Sequence, residues 1–321
     1  MAYIEEFFDR FSDGREVFKI TISNENASVS FLTFGAIIHS FFAFGRNVVI
    51  SSDSVKAYEK VSNGKIIGPF ANRIGNACFV LNGKEYLLDK NNGKNNIHSG
   101  SANIGNHIWD IKMHDDHSVV LHTDHLAMDG GIPGNMSFDV RYSLIGTTLR
   151  IDYEVQTDAD SIINPTNHVF FNLNEDNSTI LDHQVRIDAD YVLDVDKSLI
   201  PTHLIPVSGT DFDFTSFRRI GDRMNGAYDS CFALSGGHEC ILKAAGLSLV
   251  MSTDRPAMQL YTGKSLSMVD CPRGKIGAFG GVALETSGYP DAINHPEFPS
   301  AVIRRGDVFR SWTEYRVEKQ S

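Results

Sequence analysis

The stretch MSFDVRYSLIGTTLRIDYEVQTD, residues 136–158, decides the fold class. Apolar and polar side chains alternate through two runs that meet at Gly146, the period-2 pattern of half-buried strands. The same pattern recurs on both sides. EVFKITISNENASVSFLTFG (16–35) reads as strand, Asn-rich turn and strand. FVLNGKEYLL (79–88) reads as a hairpin turning at Asn82-Gly83, a pair suited to a turn with both central residues at positive φ. HQVRIDADYVLDVD (183–196), CILKAAGLSLVMSTD (240–254) and AMQLYTGKSL (257–266) continue the series. Helical periodicity is weak; SSDSVKAYEK (51–60) is the best case, with Ser54 as its expected N-cap. The expectation is an all-β fold: a large antiparallel β-sandwich with few short helices, spanning 1–321 as a single domain. Loops are expected near 61–77, 89–107, 124–135 and 267–300, where binding residues concentrate.

Composition narrows the function. The formal net charge of the 321 residues is −11. That surface repels phosphate backbones and anionic lipid, which argues against nucleic-acid and membrane partners. Four cysteines (Cys78, Cys231, Cys240 and Cys271) lie far apart without a CxxC pair, so they read as free thiols. The start, MAYIEEFFDRF, lacks the charge pattern of a signal peptide. A cytoplasmic protein is expected, a monomer or a homodimer.

Four stretches set an ionisable side chain against an apolar or backbone-constrained background. GPFANRIGNACF holds Arg73, NNGKNNIHSG holds His98, NPTNHVFFNL holds His168, and GGVALET ends near Glu285. A glutamate on an apolar strand needs partners or shifts its pKa upward; the alternative is a carboxylate at the strand's exposed end. His168 reads as a strand residue sharing a face with Phe170, while Phe171 points the other way. It is either a hydrogen-bonded core histidine or a proton donor. His98 is either exposed on its loop or a ligand group. HDDH (114–117) and HTDH (122–125) read as solvated turns rather than metal sites.

Taken together and in order, these stretches resemble the aldose 1-epimerase (galactose mutarotase) family. The resemblance is carried by ANRIG, NNIHSG, TNHVFFNL, AYDSCF and LETSGYPDAINHPEFP, and covers nearly the whole chain. It implies a large β-sandwich and a free-sugar substrate whose α and β anomers interconvert without metal or cofactor. Glu285 then looks like the general base and His168 the general acid. Arg73, Asn72, His98 and Asp229 match sugar-binding positions. His168 is expected to face Glu285 across a sugar-sized gap, with Phe70 and Tyr289 as candidates to stack on the ring. The chain departs from the family pattern at Ser230-Cys231, Ser287 and Gly131-Ile132-Pro133-Gly134, all places that could reshape the rim. A hexose-6-phosphate epimerase, a disaccharide epimerase and a non-catalytic sugar binder are the rival readings. The first needs a basic cluster, for which Arg73, Lys264, Arg273 and Lys275 are the available cations.

Overall fold

The computed structural model describes residues 2–268 and 270–320. Three antiparallel sheets make the frame. Five strands, Ala2–Arg10, Glu16–Ser23, Ala27–Leu32, Ile37–Ala43 and Arg46–Asn47, pair in sequence order. A nine-stranded sheet is built around Met136–Ile145, Thr148–Thr157 and Val308–Lys319. A six-stranded sheet orders Phe170–Phe171, Val282–Ser287, Ala257–Tyr261, Asp229–Leu234, Ala189–Val195 and Pro201–Pro206.

The deciding stretch forms its hairpin as read. Met136, Phe138, Val140, Tyr142 and Leu144 are buried, and the residues between them face outward. Gly146 turns at φ 58. The 79–88 hairpin pairs Cys78–Leu81 with Lys84–Leu87, and Asn82 and Gly83 take φ 52 and 77, as a tight right-twisted hairpin requires. Apolar side chains of the six- and nine-stranded sheets fill one continuous core between them. A second apolar cluster lies under the N-terminal sheet and includes Phe170, Ile50, Leu266 and Ile276.

Two local expectations need correction. The helix Val55–Glu59 does start after Ser54, but the Ser54 side chain makes no capping bond. The N–H of Val55 donates instead to Asp9 Oδ2 at 2.8 Å. The 164–173 stretch is not one strand either. Thr166–Asn167 pairs with Ile66–Ile67, whereas Phe170–Phe171 pairs with Val282 and Ala283. Between them the chain is held by the 63–65 turn: His168 N–H donates to Lys65 O and Gly64 N–H donates to His168 O, each at 2.9 Å. The two phenylalanines still diverge as expected, Phe170 into the second cluster and Phe171 into the main core.

Candidate active site

The pocket floor follows from strand registration. Glu285 pairs with Gln259, and Gln259 with Cys231, across three neighbouring strands. Directly paired residues share a face, as do residues two apart along a strand. Glu285, Gln259, Tyr261 and Asp229 therefore project together. The 72–73 and 97–98 loops close the opposite wall, tied by the pairing of Arg73–Ile74 with Asn96–Ile97. The result is a cavity of about 250 Å³ that brings all six sequence candidates together: Asn72, Arg73, His98, His168, Asp229 and Glu285.

Glu285 is 4 % exposed and His168 7 %, so neither the exposed strand end nor a remote core position describes them. Their facing atoms, Glu285 Oε1 and His168 Nε2, are 3.5 Å apart. No sugar-sized gap separates them: the carboxyl and the imidazole sit side by side. A substrate would lie across the pair. Burial pushes the Glu285 carboxyl well above the usual carboxylate range; the Asp229 charge adds to this and Arg73 opposes it. Burial pulls His168 down to about 4. The His168 ring rests near Phe170 and Tyr261, with centroids at 5.2 and 6.2 Å.

The surrounding groups are pre-oriented. Asn72 and His98 adopt left-handed φ of 61 and 54, which lets the two loops exchange bonds. His98 N–H donates to Asn72 O at 2.9 Å, and Asn72 N–H donates to His98 Nδ1 at 3.1 Å. That second bond assigns the neutral ring its proton at Nε2. Burial, then the nearby His168 and Arg73, pull His98 down to about 3. Arg73 Nε donates to Asn92 Oδ1 at 3.2 Å, and its Nη2 stands 3.8 Å from Asp229 Oδ2. Gln259 Nε2 donates to Asp229 Oδ1 at 2.5 Å.

Gln259, Tyr261 and Ser265 also line the cavity and escaped the sequence reading. Gln259 and Tyr261 stand two apart in AMQLYTG, so the strand period already placed them on one face; only the pairing with Glu285 reveals which face. The expected stacking residues fall elsewhere. Phe70 is fully buried in the core, and Tyr289 packs edge-on against Phe298 at 5.0 Å. Tyr261 is the aromatic side chain at the pocket. Among the departures, Cys231 borders the adjoining cleft beside Gln259, and Ser287 Oγ donates to Gly288 O at 2.8 Å. Arg273 lies outside the cavity and donates to the main-chain carbonyls of Asn174 and Asn47. His122 and His125 also have other business: His122 Nδ1 is 2.7 Å from Asp139 Oδ1 and His125 Nε2 is 3.3 Å from Ile132 O. Among the described residues, no group of three or more His, Cys, Asp or Glu side chains is placed to hold a metal ion.

A family model described as aldose 1-epimerase matches residues 19–316. The chain belongs to the aldose 1-epimerase family. It is 33% identical to an aldose 1-epimerase of Haemophilus influenzae, with 95% of this chain and 97% of that protein covered. It is 32% identical to the galactose mutarotase of Homo sapiens, with 95% and 96% covered. The fold is similar to a solved aldose epimerase homologue from C. elegans, with a TM-score of 0.89, 25% identity and 99% and 100% coverage. A galactose 1-epimerase from Lactobacillus acidophilus superimposes with a TM-score of 0.87 at 25% identity, both chains fully covered. These aldose 1-epimerase relatives agree with the β-sandwich read from the alternation.

Proposed function

We propose that Glu285 and His168 are the base and acid with which this aldose 1-epimerase interconverts the α and β anomers of a free aldose. The observation that carries the reading is the side-by-side, buried carboxyl and imidazole, 3.5 Å apart. In the forward step the Glu285 carboxylate takes the proton of the C1 hydroxyl while the imidazolium of His168 protonates the ring oxygen. The C1–O5 bond breaks and an aldehyde forms. Rotation about C1–C2 exposes the other carbonyl face. The O5 hydroxyl then adds to C1, giving its proton to His168, and Glu285–H protonates the new O1. The pair holds one proton in its reactive ion-pair form and one after ring opening, now within Glu285–H and neutral His168. No proton need be exchanged with solvent.

Burial favours that inventory. It disfavours both the doubly protonated pair, with net charge +1, and the doubly deprotonated pair, with net charge −1. The opposite pulls on Glu285 and His168 are the two sides of this effect, and both favour the one-proton pair. His98, with its Nε2–H, together with Arg73, Asn72, Asp229 and Gln259, supplies donors and acceptors for the sugar hydroxyls. Tyr261 offers an apolar ring face.

A neutral monosaccharide suits the cavity. Its volume of about 250 Å³ lies below the roughly 300–1,000 Å³ of sites for drug-sized ligands. Among its lining residues Arg73 is the one permanent cation, and it already faces Asp229. A phosphate dianion favours clustered Arg or Lys, which counts against a hexose 6-phosphate. Cys78, Cys231 and Cys240 are free thiols, which supports a reducing, cytoplasmic setting. Polarimetry of freshly dissolved α-galactose, α-glucose, xylose, maltose and glucose 6-phosphate tests the assignment. Free aldoses should relax faster than in buffer, and the phosphate ester should be the poorest substrate. Preference for glucose 6-phosphate would overturn the substrate reading.

A further inference from the structure

Behind the pocket floor, the core between the two large sheets carries a polar seam. Thr166, Asn167, Thr286, Thr313, Tyr315 and Tyr153 are all buried there. Thr286 Oγ1 and Thr313 Oγ1 are 2.5 Å apart, joining the six-stranded sheet to the nine-stranded one. Thr166 Oγ1 donates to Thr286 O at 2.8 Å. The Tyr315 hydroxyl lies 2.8 Å from Leu284 O and 3.1 Å from Asn167 Oδ1.

A hydroxyl has one proton, and the shorter contact takes it. The Tyr315 oxygen is then an acceptor and needs a donor. A half-turn of the Asn167 amide, whose O and N are assigned from their partners, presents Nδ2 to it. Asn167 interacts with both Tyr315 and Tyr153. The same turn gives Asn167 Nδ2, which has no partner in the other orientation, the Tyr315 oxygen as its acceptor. A buried polar network is costly unless every member is paired. This one lies where the two halves of the acid–base pair leave the main chain: Leu284 immediately precedes Glu285, and Asn167 immediately precedes His168.

We propose that Tyr315, acting with Asn167, is a positioning residue for the acid–base pair. From the nine-stranded sheet it ties the Leu284 carbonyl to the Asn167 side chain. It thereby holds Glu285 Oε1 and His168 Nε2 at their 3.5 Å separation. The proposal rests on reading Glu285 and His168 as base and acid.

Tyr315→Phe removes the hydroxyl and keeps the ring, which packs on Phe171 at 4.8 Å between centroids. Misplacing reacting groups by a fraction of an ångström is expected to lower kcat by about tenfold. KM should stay within about twofold, because Tyr315 does not line the cavity. Val185→Ala, a buried position in the same core on the strand Gln184–Ile187, serves as a control that lowers stability without touching the seam; its kcat should remain that of wild type. A Tyr315→Phe enzyme with wild-type kcat, or with a loss no larger than that of Val185→Ala, overturns the proposal. A second readout needs no turnover. The His168 ring resonances should titrate at a different pH in Tyr315→Phe than in wild type without sugar; an unchanged titration overturns the proposal. If the wild type fails to speed mutarotation, the acid–base reading falls, and the titration still decides whether Tyr315 positions the pair.

Discussion

Two clefts of this molecule differ in size and in chemistry. The larger, about 480 Å³, runs between the N-terminal sheet and residues 271–276 and is lined by Thr21, Ser30, Ser40, Phe42 and Arg273, among others. Several of its polar groups are paired: Ser30 and Ser40 bond each other at 2.6 Å, His39 Nδ1 meets Tyr58 OH at 3.1 Å, and Lys19 pairs with Glu6 at 2.7 Å. The smaller, about 250 Å³, holds a buried carboxyl and imidazole whose charged forms are both disfavoured, and Gln259 Oε1 there has no partner among the described residues. Volume alone would choose the wrong cleft. A buried carboxyl beside a buried imidazole, rather than volume, points to the smaller cleft as the place of the proposed chemistry.

Five substitutions or conditions bear on this contrast, in falling order of effect. His168→Asn should lower kcat by about 10²–10⁴-fold, the usual contribution of a positioned acid or base, measured by polarimetry at saturating sugar. A loss below threefold would break the contrast. Asp229→Asn keeps the shape and loses the charge that Gln259 and Arg73 face; kcat/KM should fall about 10- to 100-fold, the worth of a charged hydrogen bond.

Acid should destabilise the protein between the ordinary histidine pKa of 6.5 and about 4. Burial lowers His39, His168 and His183 to about 4. The unfolded chain then takes up protons over this window while the folded chain does not, so stability falls as pH falls. Glu285 acts in the opposite sense. Its folded pKa is raised, so stability is lost as pH rises above its ordinary value of 4.5. Glu285→Gln should therefore raise Tm by a few degrees at pH 7, as expected where function opposes stability. Smallest of all, Phe42→Ala at the larger cleft should change kcat and KM by less than about twofold. A large loss there would erase the distinction between the two clefts.

Much of the regular fold was legible because one face of strands such as Met136–Ile145 and Thr148–Thr157 is less buried than the other. In 136–157 the alternation of Phe138, Val140 and Tyr142 with outward residues leaves little choice, and Asn82-Gly83 names its own turn. The irregular parts depended on contacts distant in sequence. His168 interrupts its strand because residues 64 and 65 claim its main chain, and no local pattern announces that. Gln259 and Tyr261 sit in an ordinary-looking strand, and only registration against Glu285 makes them pocket residues. Phe70 and Tyr289 lay in loops with functional motifs, yet their rings pack into the core. Proximity in sequence to a motif is a weaker guide than strand period plus pairing. The ionisable candidates Arg73, His98, His168, Asp229 and Glu285 do meet in one cavity, and Glu285 and His168 are costly to bury.

The most direct test is polarimetry of α-galactose and α-glucose at pH 7 with wild type and Glu285→Gln, both confirmed folded by thermal denaturation. The account predicts rapid relaxation with wild type and, with Glu285→Gln, a kcat reduced at least about 10²-fold, in a protein no less stable than wild type. A glutamine variant as fast as wild type would show that the buried carboxyl beside His168 is not the base.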